Sequence, residues 1–335
     1  MGHILRMMVK KTLVKYSLEE LMDELEERKE SSGSDAVAKK NNTQIKKSST
    51  VEIVDAIRHI EKSIYETDDR NDIFEINDQN IQTDADSVVA LVSRHDLVND
   101  GKGKSKLKSR SFGISYGLCP SEKFRKQPVC CFCSGFLIGS DLVATAGHCV
   151  DDGELAEMDI SIKDVRFVFG FRMKSGSVAN TRISNKDIYE AKEIVKYKFG
   201  TTMADWAIVR LDRKVQNHKT VKINNHRIKN NQKLHVIGHP CGLPLKYAGN
   251  AKVTDNTARV YFAANLDTFG GNSGSPVFNS ENHNVEGILV RGQTDFLETE
   301  KGCRVSRVYP NTGSRGEDCT RTREFLRYVR DKQKA

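Results

Sequence analysis

Three short segments hold residue types that together could hydrolyse a peptide bond. "ATAGHCV" places His148 after an apolar run, "ADWAIVRL" carries Asp205 at its start, and "LDTFGGNSGSPVF" sets Ser273 among glycines. A serine hydroxyl is a poor nucleophile at neutral pH and needs a base to take its proton. Imidazole suits that task because its pKa lies near working pH. A carboxylate then fixes the imidazole tautomer and stabilises the imidazolium. The glycines allow the backbone N–H groups of Gly271 and Ser273 to converge on a developing oxyanion, in a turn that tolerates little side chain. Singly, each residue has an ordinary reading: a structural His beside a Cys, an Asp capping a strand, a Gly-Asn-Ser-Gly turn. Only their joint occurrence points to chemistry.

The elements that must hold these residues are strands. From about Ile64 onward, short β-prone runs alternate with turn-rich stretches: "SVVALV" (87–92), "CSGFLIG" (133–139), "LVATAG" (142–147), "VRFVFGFRM" (165–173), "WAIVRL" (206–211), "LHVIG" (234–238), "ARVYFAAN" (258–265), "SPVFN" (275–279) and "VEGILVRG" (285–292). Strands at this spacing, with few long helical patterns, predict an all-β barrel or sandwich. The tail "TREFLRYVRDKQ" is helical in pattern, with Phe325, Leu326 and Val329 on one side. One stretch resists a strand. "GKGKSKLKSR" (101–110) would set Lys102, Lys104, Lys106, Lys108 and Arg110 on one face, so a disordered loop is expected there. It lacks the interleaved aromatics of a nucleic-acid surface, and no nucleic-acid partner is expected.

Ahead of the strands the chain changes character. Residues 17–30 read as a helix opened by a Ser17/Glu20 capping box, with Leu18, Leu21, Met22 and Leu25 along one face. Residues 31–50 are polar and aperiodic, a linker, and 52–61 allow a second short helix. The net charge of +8 over 335 residues permits anionic partners without demanding them. No window approaches the roughly 18–20 apolar residues of a membrane span, so no membrane partner is expected. The N-terminus is interrupted by Lys10, Lys11 and Lys15 and has no small-residue cleavage site, unlike a secretory signal. A cytoplasmic location follows. Eight cysteines argue for the alternative, a secreted protein.

Taken together, "TAGHC", "DWAIVRL" and "GNSGSP", in that order, resemble the histidine, aspartate and serine motifs of the chymotrypsin/trypsin-like serine proteases. "GNSGSPVF" and "DWAIVRL" are most similar to the bacterial branch with the glutamyl endopeptidases and exfoliative toxins. The resemblance covers about residues 64–335. It implies two chymotrypsin-like antiparallel β-barrels, about 64–212 and 213–319, then a C-terminal helix at about 320–333, with residues 1–63 as an N-terminal extension. By the same resemblance His148 is general base then acid, Asp205 orients it, Ser273 attacks, and the Gly271 and Ser273 amides form the oxyanion hole. Cys133 and Cys149 correspond to the family's bridge beside the histidine. The family's trypsin-type members carry an aspartate just before the serine, which pairs with a released N-terminus. Here Asn272 stands there, and activation by that ion pair is not expected.

The resemblance also implies the pocket. The residue six before the serine lies at its base, and here it is Asp267, with Thr268, Val290 and Gly292 as further lining. A buried carboxylate wants a cationic partner, so cleavage after Arg or Lys is expected. The glutamyl enzymes read their acid with a histidine on the following strand, where this chain has Leu289. Glu/Asp specificity is the alternative, with Thr268 matching that branch and Arg291 as a possible acid reader. A loop shift would instead leave Asp267 an ordinary solvated turn residue.

Rival classes fit less well. An α/β-hydrolase elbow reads G-x-S-x-G, but Ser275 occupies the last position and only His283 follows Ser273. A catalytically silent protease-fold scaffold is disfavoured by the complete set of three residues. Cys119, Cys130, Cys131 and Cys133 lack paired C-x-x-C spacing, and no metal or other cofactor is expected. Cys303 and Cys319 are a candidate second disulfide, while His235 and His239 read as strand and turn residues. Protein or peptide substrates are the expected partners. Residues 1–60 can be read as a propeptide, cut after Arg58 or Lys62, as an arm that docks a regulatory partner, or as a plain disordered extension.

Overall fold

The computed structural model describes residue 24 and residues 64–65, 67–200, 203–291, 295–310 and 316–333. The chain divides into two compact units, Met1–Glu61 with Gly200–Met203, and Lys62–Phe199 with Ala204–Ala335. The helix and linker expected before residue 63, and the cleavage points at Arg58 and Lys62, lie outside the described residues except for Glu24, which is helical.

The larger unit is built from thirteen strands that matter to the site and two helices. In chain order these are β1 (Arg70–Asp72), α1 (Gln79–Asp86), β2 (Val88–Ser93), β3 (Cys133–Leu137), β4 (Leu142–Thr145), β5 (Val165–Phe169), β6 (Ile188–Lys198) and β7 (Trp206–Leu211). Then follow β8 (Lys233–Gly238), β9 (Lys246–Asp255), β10 (Tyr261–Ala264), β11 (Pro276–Asn279), β12 (Val285–Arg291), β13 (Glu317–Arg321) and α2 (Leu326–Gln333). Strands β5-β6-β7-β4-β3-β2 close into one barrel. Strands β8-β11-β12-β13-β10-β9 form a second ring, closed by the β8–β9 pairing, with β1 added outside β9. The neighbours around both rings are antiparallel. The expected all-β, two-barrel architecture is what the chain adopts.

Burial explains why β2 reads as an unbroken apolar run rather than an alternating one. Val89 and Leu91 point into the main core, while Ala90 and Val92 join a second cluster with Leu107, Val168, Phe171 and Ile183. Both faces are covered, so both are apolar. Leu107 and Ile183 are supplied by a small sheet in which Arg182–Ser184 pairs with Lys104–Leu107. This corrects the expectation of a disordered loop at 101–110. Lys104 and Lys106 face solvent while Ser105 and Leu107 are buried, so the lysines form the wet face of a strand whose dry face packs on the barrel. Arg182 also pairs with Asp100 and Lys108 donates to the His95 carbonyl, which eases the crowding of like charge.

The chain enters this unit through the second barrel. Ile64–Tyr65 pairs in parallel with Val308–Tyr309, and Arg70–Asp72 with Lys246–Ala248 of β9. Residues 64–65 and 67–72 thus form a strap on the second barrel, and the strands of the first lie between 88 and 211. A buried network fastens the strap: Lys246 Nζ donates to Asp72 Oδ1 at 2.5 Å and to Gln127 Oε1 at 2.7 Å, and Gln127 Nε2 donates to Asp72 Oδ2 at 2.7 Å. Burial pulls the Lys246 ammonium down to about 8 against the opposing pull of Asp72.

At the other end β13 occupies residues 317–321, and the terminal helix starts at Leu326, later than the sequence pattern suggests. Its Phe325 and Tyr328 neighbours pack on Trp206 of β7, with ring centroids 6.1 and 5.4 Å apart. The helix therefore clamps against the first barrel, and Val329 joins the same core. Among the described residues no helix is long and apolar enough to cross a membrane.

Candidate active site

His148 follows β4 in a turn tied to Asp205, the residue just before β7. The His148 Nδ1 lies 2.8 Å from Asp205 Oδ2. The other carboxylate oxygen accepts the backbone N–H of Gly147 at 2.6 Å and of His148 at 3.2 Å. Asp205 is wholly buried, and its own N–H donates to Thr320 Oγ1 of β13 at 3.3 Å. A carboxylate so placed accepts only, which fixes the proton on Nδ1 and turns the Nε2 lone pair outward. The His148 side chain is 21% exposed, whereas its partner Asp205 stays dry.

Ser273 stands in the turn between β10 and β11, 8% exposed. Two glycines beside it hold backbone that other residues avoid. Gly271 has φ +81°, and a Cβ there would sit 2.9 Å from the His239 carbonyl oxygen. Gly274 has φ +87°, and a Cβ there would come within 2.0 Å of the Ser134 carbonyl oxygen and 3.0 Å of the Ala146 nitrogen. Gly274 therefore lets the serine turn press against the segment that leads into His148.

Sequence reasoning did not single out Ser134, which organises this contact. Its N–H donates to the Ser273 carbonyl at 2.8 Å, and its hydroxyl donates to the Gly271 carbonyl at 3.0 Å. The same hydroxyl accepts from the His239 N–H at 3.0 Å, and its carbonyl accepts from Thr145 Oγ1 at 2.7 Å. Ser134 follows Cys133, which is disulfide-bonded to Cys149, the neighbour of His148. A covalent and hydrogen-bonded path thus joins base and serine turn. Its only mark in the sequence was a small polar residue inside an apolar strand.

The second disulfide is not the expected one. Cys303 pairs with Cys119, and Cys319 is a buried thiol. Cys319 sits inside β13 opposite Phe262 and Leu289 and faces the second core, whereas Cys303 precedes a short strand whose Arg304 bridges Leu118, next to Cys119.

Asp267 is neither solvated nor bare. It is 4% exposed and accepts from Tyr65 N at 2.7 Å and Asp69 N at 2.9 Å, so the strap caps both oxygens. With Asp69 it borders a cavity of about 270 Å³ lined also by Tyr65, Thr67, Gly249, Asn250 and Asn265. Thr268 donates its hydroxyl to Glu317 at 2.9 Å, and Tyr65 Oη donates to the same carboxylate at 3.2 Å. Glu317, wholly buried on β13, was not foreseen as part of this base. Phe269 carries the Arg70 guanidinium 3.9 Å from its ring centre, and Arg70 pairs with Asp68 at 2.7 Å. Val290 is buried in the main core, and Gly292 lies outside the described residues. Arg291 is buried and pairs with Asp318 at 3.1 Å, so its charge is already matched. Asn272 is buried with its side chain accepting from Ser275 Oγ at 3.3 Å, an uncharged contact where trypsin-type chains hold an ion pair.

Burial and then the neighbouring Asp267 charge push Asp69 up to about 8, and burial raises Asp267 as well. Between pH 3.8, the ordinary value, and about 8, the folded chain keeps a proton on Asp69 that the unfolded chain has released. The folded state binds more protons there, so stability falls as pH rises through that window. Melting followed by scanning fluorimetry from pH 5 to 8 should show this decline, and Asp69→Asn should flatten it. Parallel curves for the two chains would refute a proton retained on Asp69.

Residues 133–288 match the trypsin-like peptidase domain model. The chymotrypsin/trypsin-like resemblance read from the three motifs is what fold and family model show. Among solved structures, a Glu endopeptidase is similar at 15% identity and TM-score 0.46, over 81% of this chain and 100% of that one. The VesB protease of Vibrio cholerae is similar at 14% identity and TM-score 0.46, over 79% of this chain and 67% of that one. No curated protein matches the chain.

Proposed function

We propose that this chain is a serine endopeptidase acting through His148, Asp205 and Ser273. The observation that carries the reading is the His148 Nδ1–Asp205 Oδ2 contact of 2.8 Å on a buried, doubly hydrogen-bonded carboxylate. With Nδ1 protonated, Nε2 takes the Ser273 hydroxyl proton as Oγ adds to the substrate carbonyl. The Gly271 and Ser273 N–H groups stabilise the oxyanion. The imidazolium returns its proton to the leaving amine as the C–N bond breaks, which leaves an acyl-enzyme. Water, deprotonated by the same Nε2, then releases the acid and restores the serine.

Cleavage after Arg or Lys is the specificity that fits the site best. Asp267 and Glu317 give the loop before Ser273 a buried acidic base. The acid-reading alternative loses its cation to the Arg291–Asp318 pair, and the Thr268 hydroxyl donates to Glu317. On paired chromogenic peptides differing only in Arg or Glu before the scissile bond, kcat/KM should favour Arg by about a hundredfold, the scale set by opposing an acid to a carboxylate instead of pairing a cation with it. Preference for Glu would overturn the specificity and leave the triad standing, and hydrolysis of neither peptide would count against both. The two disulfides suit an oxidising compartment, which favours the secreted alternative over the cytoplasmic one.

A further inference from the structure

Asp84 of α1, His235 of β8 and His283 of the β11–β12 turn bring their side chains to one point. His235 Nε2 is 3.2 Å and His283 Nδ1 2.5 Å from the same oxygen, Asp84 Oδ2. All three donor atoms lie within 4.8 Å of one another. None of these residues belongs to the triad or to the acidic base. We propose that they form a zinc site that staples α1, the helix leading into the first barrel, to the second barrel.

The donor set is the first argument. Two imidazoles and one carboxylate suit Zn²⁺, whereas Ca²⁺ and Mg²⁺ need more oxygens than this cluster offers. Tetrahedral bonds of 2.0–2.1 Å would place ligand atoms about 3.3 Å apart, inside the spread found here. A small widening of the His283–Asp84 contact admits the ion. The second argument is the outer contact. The other ring nitrogen of His235 lies 3.2 Å from Ser280 Oγ, the kind of hydrogen bond that fixes the tautomer and orientation of a metal-bound histidine. His235 is also stacked on Phe278 at 5.1 Å and 1% exposed, so its ring cannot swing away.

His283 supplies the third argument. It holds φ +59°, a left-handed conformation disfavoured for a side-chain-bearing residue. The turn accepts this strain at a residue whose ring, like that of His235, reaches Asp84. The His283 side chain is 23% exposed, so water can complete the coordination from that side. A closed protein cage is not required.

The test is Zn²⁺ binding to the full-length chain, stripped with a chelator, by competition with a colorimetric zinc indicator. One equivalent should bind to the wild type, and binding should weaken at least tenfold in His283→Asn and Asp84→Asn. Asparagine tolerates the left-handed conformation, so His283→Asn keeps the turn. Ser280→Ala should weaken binding by about tenfold through the outer contact alone. Absence of binding to the wild type, or equal binding by both ligand variants, overturns the site and leaves an ordinary His–Asp–His hydrogen-bond cluster. A measurement on the wild type covers the case of a variant that does not fold. Zn²⁺ should slow carbethoxylation of His283 by diethyl pyrocarbonate at least tenfold, mapped by peptide mass, and an unchanged rate overturns the proposal.

Discussion

Ser273→Ala is expected to lower kcat by about 10⁶-fold while leaving the melting temperature unchanged. The structural reason for the second half is that Ser273 holds its turn by backbone, its carbonyl accepting from the Ser134 N–H at 2.8 Å. Removing the hydroxyl oxygen removes the nucleophile but not this contact, nor the left-handed glycines on either side. A residual rate of about 10³–10⁴ over water should persist, because the Gly271 and Ser273 amides still receive an oxyanion formed by direct attack of water. A fluorophosphonate probe gives an independent readout: it should label the wild type at Ser273 and the variant not at all. Retention of more than about 1% of activity, or labelling at another residue, would refute Ser273 as the nucleophile.

The second large effect belongs to Asp205→Asn, with kcat expected to fall by about 10⁴-fold. Here the local hydrogen bonds dictate which way the amide points. Gly147 and His148 present two backbone N–H donors to the oxygen at Oδ1, so the amide oxygen takes that place and the NH₂ group faces His148 Nδ1. An NH₂ donor forces Nδ1 to accept, which moves the imidazole proton to Nε2. The ring stays where it was but can no longer take the serine proton. KM should change little, since no substrate contact is altered. A loss smaller than tenfold would mean that Asp205 is only a structural cap for the 147–148 turn.

How far these assignments could be read from the chain depends on how tightly physics constrains each residue. His148, Asp205 and Ser273 could be proposed from the sequence because hydrolysis admits few side chains in those roles, and the fold sets His148 against Asp205 as that proposal requires. Strands such as Val88–Ser93 and Trp206–Leu211 declare themselves by being dry on both faces. Ile188–Lys198 does not, because most of its residues are half-buried or exposed and its charges read as loop. Glu317–Arg321 hides for the opposite reason. Its charged residues are all buried and derive their partners from distant segments. Disulfide pairing was legible only where a family bridge exists. Cys119 and Cys303 are 184 residues apart, and nothing local announces that they meet. Asp84 likewise lies 151 and 199 residues from the two histidines it contacts. The fate of Asp267 turned on the strap. The sequence placed a buried carboxylate correctly, but only the fold reveals that backbone amides of residues 65 and 69 meet its oxygens.

The hydrogen bonds of Ser134 bear on whether the two barrels are separable parts. Ser273, the proposed nucleophile, lies in the second half of the chain, but its turn is held by a residue of the first. Ser134 fixes the Gly271 and Ser273 carbonyls, and the disulfide of its neighbour Cys133 reaches Cys149, next to His148. The second barrel is consequently not a portable module: grafted elsewhere, it would bring a nucleophile without the mould that shapes it. Change in this protein has room at the surface loops, but the seam around Ser134 must vary as one unit or not at all.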